Sequence, residues 1–166
     1  MSGAPTDPIA LQLREAMRTL ASSVSIIAAA DGAGQRNAIT ATSVTSLSMD
    51  PPAMLVCINR ATSLYPYLDM GAGFSINVLT QDQLEIAQLC SSKAFGEERF
   101  VTGQWDKDAT GTPYLRDAQA ALLCKVEKRI SHGTHDIVIG AVHSVHLSGA
   151  CDPLIYVQGQ YRHIAA

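Results

Sequence analysis

Ala118-Gln119-Ala120-Ala121-Leu122-Leu123-Cys124-Lys125-Val126-Glu127-Lys128-Arg129-Ile130 alternates. Ala120, Leu122, Cys124 and Val126 fall on one face, and Lys125, Glu127 and Arg129 on the other. That period of two predicts a half-buried strand. Ser131 to Thr134 makes a turn, and Asp136 to Leu147 reads as a second long strand, with a short one at Leu154 to Val157. Toward the N-terminus, Phe74 to Leu79, Ala53 to Asn59, Ile39 to Leu47 and Val24 to Ala30 are apolar or β-branched runs. Asp31-Gly32 is a hairpin signal after the last of these, and Asp50-Pro51-Pro52 breaks the chain before Ala53. Helices are few. Residues 8–21 carry Ile9, Leu13, Ala16, Met17 and Leu20 at helical spacing behind Asp7 and Pro8. Thr62 or Ser63 can cap a short helix that tolerates Pro66 in its first turn. Thr80-Gln81-Asp82-Gln83 is a capping box for a helix that runs to Cys90. Residues 91–117 read as polar and irregular. The pattern predicts a mainly β protein, an antiparallel barrel or sandwich.

The chain has 166 residues, enough for one domain with its own core. Residues 1–8 read as a flexible tail and 9–166 as a single domain. Charged residues are only 16% against about 25% in ordinary domains, so part of the surface is expected to be covered, most simply by a second copy. Net charge is −3 and no basic run exists, which argues against nucleic acid and against a polybasic membrane anchor. No apolar run reaches the ~18 residues of a membrane span. Glu15, Thr19, Ser22, Ser23 and Ser25 argue against a signal peptide ahead of Ala28-Ala29-Ala30. Cys57, Cys90, Cys124 and Cys151 form no Cys-x-x-Cys pair and are read as free thiols, so the cytoplasm is the expected compartment.

Several apparent motifs fail on their context. Gly32-Ala33-Gly34 opens like a dinucleotide fingerprint, but Asn37 stands where the third glycine belongs and a strand follows instead of a helix. His132 and His135, and His143 and His146, are spaced three apart. On the predicted strand that odd spacing puts His143 and His146 on opposite faces, so no metal is expected. Gly-x-Ser-x-Gly and His-Glu-x-x-His are absent. Cys57 and Cys124 sit in buried strand patterns and are read as inert.

Thr40-Ala41-Thr42-Ser43-Val44-Thr45-Ser46-Leu47-Ser48 crowds hydroxyls into an apolar region. It is either a strand with a polar outer face or a strand edge whose N–H and hydroxyl donors hold a polar planar ligand. Asn59-Arg60-Ala61-Thr62-Ser63 follows a buried strand and opens a helix, a place where arginine can meet an anion or simply be solvated.

Read together, these segments resemble the short-chain flavin reductases of two-component monooxygenases, in the flavin-reductase-like, FMN-binding split-barrel family. The likeness runs from about Leu13 to Arg162. It is carried by Arg14 to Ser22, Thr40 to Pro52, Cys57-Ile58-Asn59-Arg60 and Phe74 to Leu79, then by Glu98-Arg99-Phe100, Gly133-Thr134-His135 and Pro153-Leu154-Ile155-Tyr156. The resemblance implies a six-stranded antiparallel Greek-key split barrel with flanking helices. It also implies a homodimer with FMN or FAD near the subunit interface. It assigns Thr40, Ala41, Thr42, Ser43, Val44, Thr45 and Ser46 to the ring, ribityl and phosphate portions of the flavin. It assigns Asn59, Arg60 and Ser63 to the phosphate, with Cys57 and Ala61 beside them in the cofactor site. Arg99 and Phe100 match an Asp-Arg-Phe motif near the cofactor, and His135 matches a histidine that places the nicotinamide of NADH or NADPH. Glu98 replaces the commoner Asp, and Asn37-Ala38-Ile39 departs from the relatives' Gly-Met at the edge of the ring site.

The implied reaction is hydride transfer from NAD(P)H to flavin N5, with reduced flavin passed to a partner monooxygenase. The protein's part is orientation. Backbone N–H donors of Thr40 to Thr45 can stabilise the charge that develops on the ring. No side-chain acid or base is needed, in keeping with the absence of a catalytic pair. The alternative is a non-enzymatic flavin-binding carrier of the same fold. A pyridoxamine-phosphate-oxidase type ranks last, because no basic pocket signature is present.

Overall fold

A computed structural model describes residues 7–149 and 151–164; the tail reading for residues 1–6 lies outside them. The alternating stretch is β9 (Ala120–His132), and it pairs antiparallel with β10 (His135–Leu147). These two 13-residue strands form the spine of the sheet. Upstream lie α1 (Pro8–Arg18), β1 (Ser22–Ser23), β2 (Ser25–Ala30), β3 (Arg36–Ala41), β4 (Val44–Met49), β5 (Pro52–Asn59) and β6 (Gly73–Val78). α2 (Leu84–Ser91), β7 (Trp105–Lys107) and β8 (Pro113–Leu115) follow β6, and β11 (Ile155–Val157) and β12 (Gln160–Arg162) close the chain.

The main sheet has seven strands, not the expected six, in the order β3-β2-β6-β9-β10-β5-β4. The Ile39 to Leu47 run is two strands, because Thr42 and Ser43 interrupt it. β3 and β4 are therefore consecutive in the chain yet stand at opposite ends of the sheet. Only Thr42 and Ser43 join them, so their facing ends lie within about 11 Å, three consecutive Cα–Cα steps. The sheet must curl round to meet that limit. No ladder closes the gap between β3 and β4.

The curl gives two cores. Ile27, Val56, Ile58, Phe74, Ile76, Cys124, Val126 and Val138 fill the inside. Val24, Ile26, Ala28, Ala38, Leu79, Ile86, Phe100 and Leu115 pack between the outer face of β2–β3 and the α2 side. Ser75 and Asn77 of β6 pin β8 over that outer face. Ser75 Oγ donates to the Pro113 carbonyl at 2.6 Å, and Leu115 N–H donates to Asn77 Oδ1 at 2.8 Å. The Thr80–Gln83 capping box is formed, with a 3₁₀ turn at Gln81–Gln83 leading into α2. Pro66 sits in a 3₁₀ turn, Tyr65–Tyr67.

Two β-bulges alter the strict alternation of the hairpin. A register shift between Ile139 and Gly140 pairs Arg129 with Val138, so Arg129 faces inward and not outward with Lys125. A second shift between Val142 and Ser144 inserts His143. Ser144 and His146 then share the face of Leu123 and Ala121, and the opposite-face reading of His143 and His146 does not survive the bulge. His146 stacks on Tyr114 with ring centroids 4.9 Å apart.

Candidate functional site

The break between β3 and β4 is held open by hydrogen bonds to β5. Cys57 N–H donates to the Ser43 carbonyl at 3.1 Å, and Ser43 Oγ donates to the Cys57 carbonyl at 2.9 Å. Val44, Thr45 and Ser46 then pair with Val56, Leu55 and Met54. Among the described residues, the N–H groups of Thr42 and Ser43 meet no acceptor in the chain. Both residues are exposed, so two backbone donors and the Thr42 hydroxyl face out at the gap. Thr42 rims two adjoining cavities of about 410 and 430 Å³. The first is bounded by Thr40, Ser91, Tyr156 and Tyr161, and the second by Ser43, Arg14 and Met17. A larger cavity of about 720 Å³, lined by Gly34, Thr110, Lys125 and His143, contains none of the expected residues.

Next to the gap, the loop after β5 is drawn against the start of β3. Asn59 shapes it: Ala61 N–H donates to Asn59 Oδ1 at 2.9 Å, and Thr62 N–H to the Asn59 carbonyl at 3.0 Å. Ser63 then meets Asn37, whose Nδ2 donates to the Ser63 carbonyl at 3.2 Å. Arg99 enters the same knot from the 3₁₀ turn Gly96–Phe100. Its Nη1 donates to Ser63 Oγ at 3.1 Å, to Asn37 Oδ1 at 3.3 Å and to the Ala38 carbonyl. Its Nε donates to the Ala94 carbonyl at 2.8 Å. Arg99 is buried, and burial pushes its pKa below the ordinary guanidinium value. Among the described residues it has no carboxylate partner. A buried cation held by neutral acceptors leaves positive potential at the site.

His135 stands opposite Asn59 in the β5–β10 register, at the mouth of the β9–β10 turn. It is exposed, with Nδ1 2.9 Å from Thr134 Oγ1. Of the expected residues, Thr42 and Ser43 form the gap, Thr45, Ser46, Cys57 and Asn59 lie on the adjoining β4–β5 pair with His135 opposite Asn59, and Ser63 and Arg99 are bonded to the start of β3. Others point elsewhere. Thr40 Oγ1 donates to the Ala87 carbonyl of α2 at 2.6 Å, and Ala41 and Val44 pack toward the inner core. The Arg60 guanidinium is taken by the Gly133 carbonyl and by Asp136 at 3.5 Å. Phe100 is a packing residue, edge-on to Trp105 at 4.6 Å with the Arg36 guanidinium 4.2 Å from its ring centre.

Two site residues escape a reading by motif. Asn37 is fully buried, and its only signal is an amide between Arg36 and Ala38 in a strand. Asp136 is buried too, and its signal is an acid inside the apolar run that follows His135. Burial raises the Asp136 pKa, but hydrogen bonds from Ser131, Tyr65 and Arg129 and the charge of Arg129 hold it below the ordinary carboxylate value.

The donor set suits a flavin: free N–H groups and a hydroxyl for a polar ring edge, and an uncompensated buried cation for an anion. Residues 17–165 match the model of the flavin reductase like domain. The chain is 39% identical over 154 residues to an FMN reductase (NADH) of Pseudomonas syringae pv. syringae, covering 93% of this chain and 86% of that one. It is 40% identical over 149 residues to the reductase component of an FADH2-dependent resorcinol hydroxylase from a Rhizobium species, covering 89% and 83%. The crystal structure of the flavin reductase component of a bacterial two-component tryptophan halogenase superposes with a TM-score of 0.81 at 28% identity, covering 94% of this chain and 98% of the other.

Proposed function

The chain belongs to the flavin-reductase-like family, and on that premise we propose that it is an NADH-dependent flavin reductase that hands reduced FMN or FAD to a separate oxygenase. The observation that carries the reading is the gap at Thr42–Ser43, with two unpaired N–H donors at the end of β3 and the Arg99–Asn37–Ser63 knot at its start. The relatives in this family are reductases, and nothing among them favours the non-enzymatic carrier.

When bound, the flavin supplies the hydride-accepting centre. The chain's own residues bind and orient. Thr42 and Ser43 present backbone N–H donors, and Thr42 its hydroxyl, to the polar edge of the ring, where they stabilise developing negative charge. Asn59 and Ser63 face the phosphate from the loop after β5, with Arg99 supplying positive potential behind them. His135 meets the nicotinamide. No residue is required to move a proton, and the rate enhancement is one of alignment.

The curled sheet with its open seam is, on this reading, the split barrel of the family, and residues 9–166 form one domain. A homodimer completes the site. Leu47 and Met49 on the edge strand β4 are 48% and 78% exposed, which leaves an apolar edge next to the gap for a second copy to cover. Light scattering is expected to give twice the monomer mass.

The deciding experiment is loss of NADH or NADPH absorbance with FMN, FAD or no flavin added. Flavin-dependent oxidation of NADH is the expected result. Folded, flavin-loaded protein that oxidises neither nucleotide would overturn the reading.

A further inference from the structure

Asp136 follows His135 on β10 and points to the inner face of the sheet, where it is 2% exposed. Both of its oxygens are engaged. Oδ1 accepts from Ser131 Oγ at 2.9 Å and faces Arg60 Nη1 at 3.5 Å. Oδ2 accepts from Tyr65 Oη at 3.0 Å and from Arg129 Nε and Nη2 at 3.2 and 3.1 Å.

The two guanidinium groups are not equivalent. Arg129 has a second carboxylate, Asp69, at 3.1 Å, donates to the Leu68 carbonyl at 3.2 Å, and lies 4.4 Å from the centre of the Tyr65 ring. Among the described residues Arg60 has no other carboxylate. Its side chain donates to the Gly133 carbonyl, and its backbone N–H donates to the Thr134 carbonyl at 3.0 Å. Gly133 and Thr134 are the two residues that lead into His135. One buried carboxylate therefore holds a guanidinium that holds the turn carrying His135.

An exposed ion pair alone fixes little, because water screens it and side-chain entropy opposes it. Here the acid is buried and locked by Ser131 and Tyr65, so Arg60 has one place to go. Arg60 lies in the flavin-side loop itself, between Asn59 and Ala61, but that loop has supports besides this clasp. The Asn59 turn and the Asn37–Ser63–Arg99 knot also hold it, and none of these residues touches Asp136.

We propose that Asp136 is a positioning residue for the hydride donor: acting through Arg60, it fixes the Gly133–His135 turn, so that its loss weakens use of NADH while flavin binding is kept. The inference rests on the reductase reading and on His135 meeting the nicotinamide.

The test is Asp136→Asn in the full chain, with Arg60→Gln beside it. Arg129 keeps Asp69 in Asp136→Asn, so the inner face stays neutralised there. Arg60→Gln touches a side chain that is 41% exposed and carries the test if the first variant does not fold. Each variant is expected to raise KM for NADH about tenfold, or about 1.4 kcal/mol of lost alignment at the turn. Flavin Kd, read by fluorescence quenching without NADH, is expected to stay within about threefold. The double variant should be no worse than the worse single one. On a His135→Ala background, Asp136→Asn should add nothing to KM. The Arg60 amide should exchange hydrogen faster in Asp136→Asn, whatever the activity.

Additive losses, a flavin Kd that weakens as much as KM, or an unchanged KM in active protein would overturn the inference alone. Wild-type protein inert toward NADH with both flavins would overturn the reductase reading, and this one with it.

Discussion

Arg99 and Ser63 meet across 36 residues of chain, with Nη1 of Arg99 donating to Ser63 Oγ at 3.1 Å. Through that contact a 3₁₀ turn, the loop after β5 and the start of β3 become one rigid piece. The guanidinium also bonds the carbonyls of Ala38, Ala94 and Ser92 and the amide of Asn37. Every acceptor is neutral. The protein keeps a buried cation there with fixed dipoles alone, and a bound anion would be the natural counter-charge.

Arg99→Lys tests this. An ammonium cannot span acceptors arranged around a planar fork. The variant is expected to lose about 2–3 kcal/mol of stability in urea titrations, the range for losing hydrogen bonds to a charged donor. Flavin binding by the folded variant should weaken as well.

Gly140→Ala should destabilise the hairpin. A Cβ there would come within 2.5 Å of Phe74 Cζ and 2.9 Å of Cys124 Cβ, against the inner core. Overpacking of this kind costs about 1–3 kcal/mol. Thermal melts should show a lower Tm, and Phe74→Leu in the same chain should restore part of it.

Acid should loosen the Asp136 cluster. The folded pKa of Asp136 lies below its ordinary value, set by burial on one side and by Ser131, Tyr65 and Arg129 on the other. A depressed carboxylate stabilises fully above the unfolded pKa, about 3.9. That contribution is lost as pH falls through the lower folded value. The Tm of the wild type should therefore fall more steeply below about pH 4 than that of Asp136→Asn. Glu97 and Asp108 are also depressed, by Arg36 and by Thr110 and Thr112, and titrate in both proteins. The difference between the two curves isolates Asp136.

Three of the four thiols should separate cleanly in alkylation. Burial pushes Cys90 up to about 12, against a small opposing pull from Arg99, and pushes Cys124 up to about 12 as well. Neither is a thiolate at neutral pH. Cys151 is exposed. Iodoacetamide followed by peptide mapping should label Cys151 in the native protein, and Cys90 and Cys124 only after unfolding.

Local pattern carries much of the architecture. Period-two alternation locates β9, and the Thr80–Gln83 box marks the entry to α2, because both depend on residues a few places apart. What local pattern misses depends on distant partners. β7 and β8 look like polar loop because β8 is held by Ser75 and Asn77 of β6, not by its own alternation. Arg129 reads as outward because a bulge leaves no mark in an alternating run. The site divides the same way. The Thr/Ser cluster is legible because hydroxyls are out of place among apolar neighbours. Asn37 and Asp136 act from inside the fold, through Ser63 and Arg60, and neither belongs to a recognisable motif. The partner of Arg60 is hidden for a related reason: a loop arginine looks free until its carboxylate is found 76 positions later.

The two-residue link at Thr42–Ser43 also orders how the protein must assemble. The β2–β3 and β4–β5 hairpins are local and can pair early, while β6, β9 and β10 must be inserted between them over long chain separations before the sheet is continuous. The seam is the last geometry to be defined, although the residues that form it are synthesised in the first third of the chain. A chain whose β9–β10 hairpin has not docked has the proposed flavin-binding residues but not the shape that brings them together. Recovery of flavin affinity after dilution from denaturant should thus lag behind recovery of β-sheet signal, and cofactor capture becomes a reporter of completed folding.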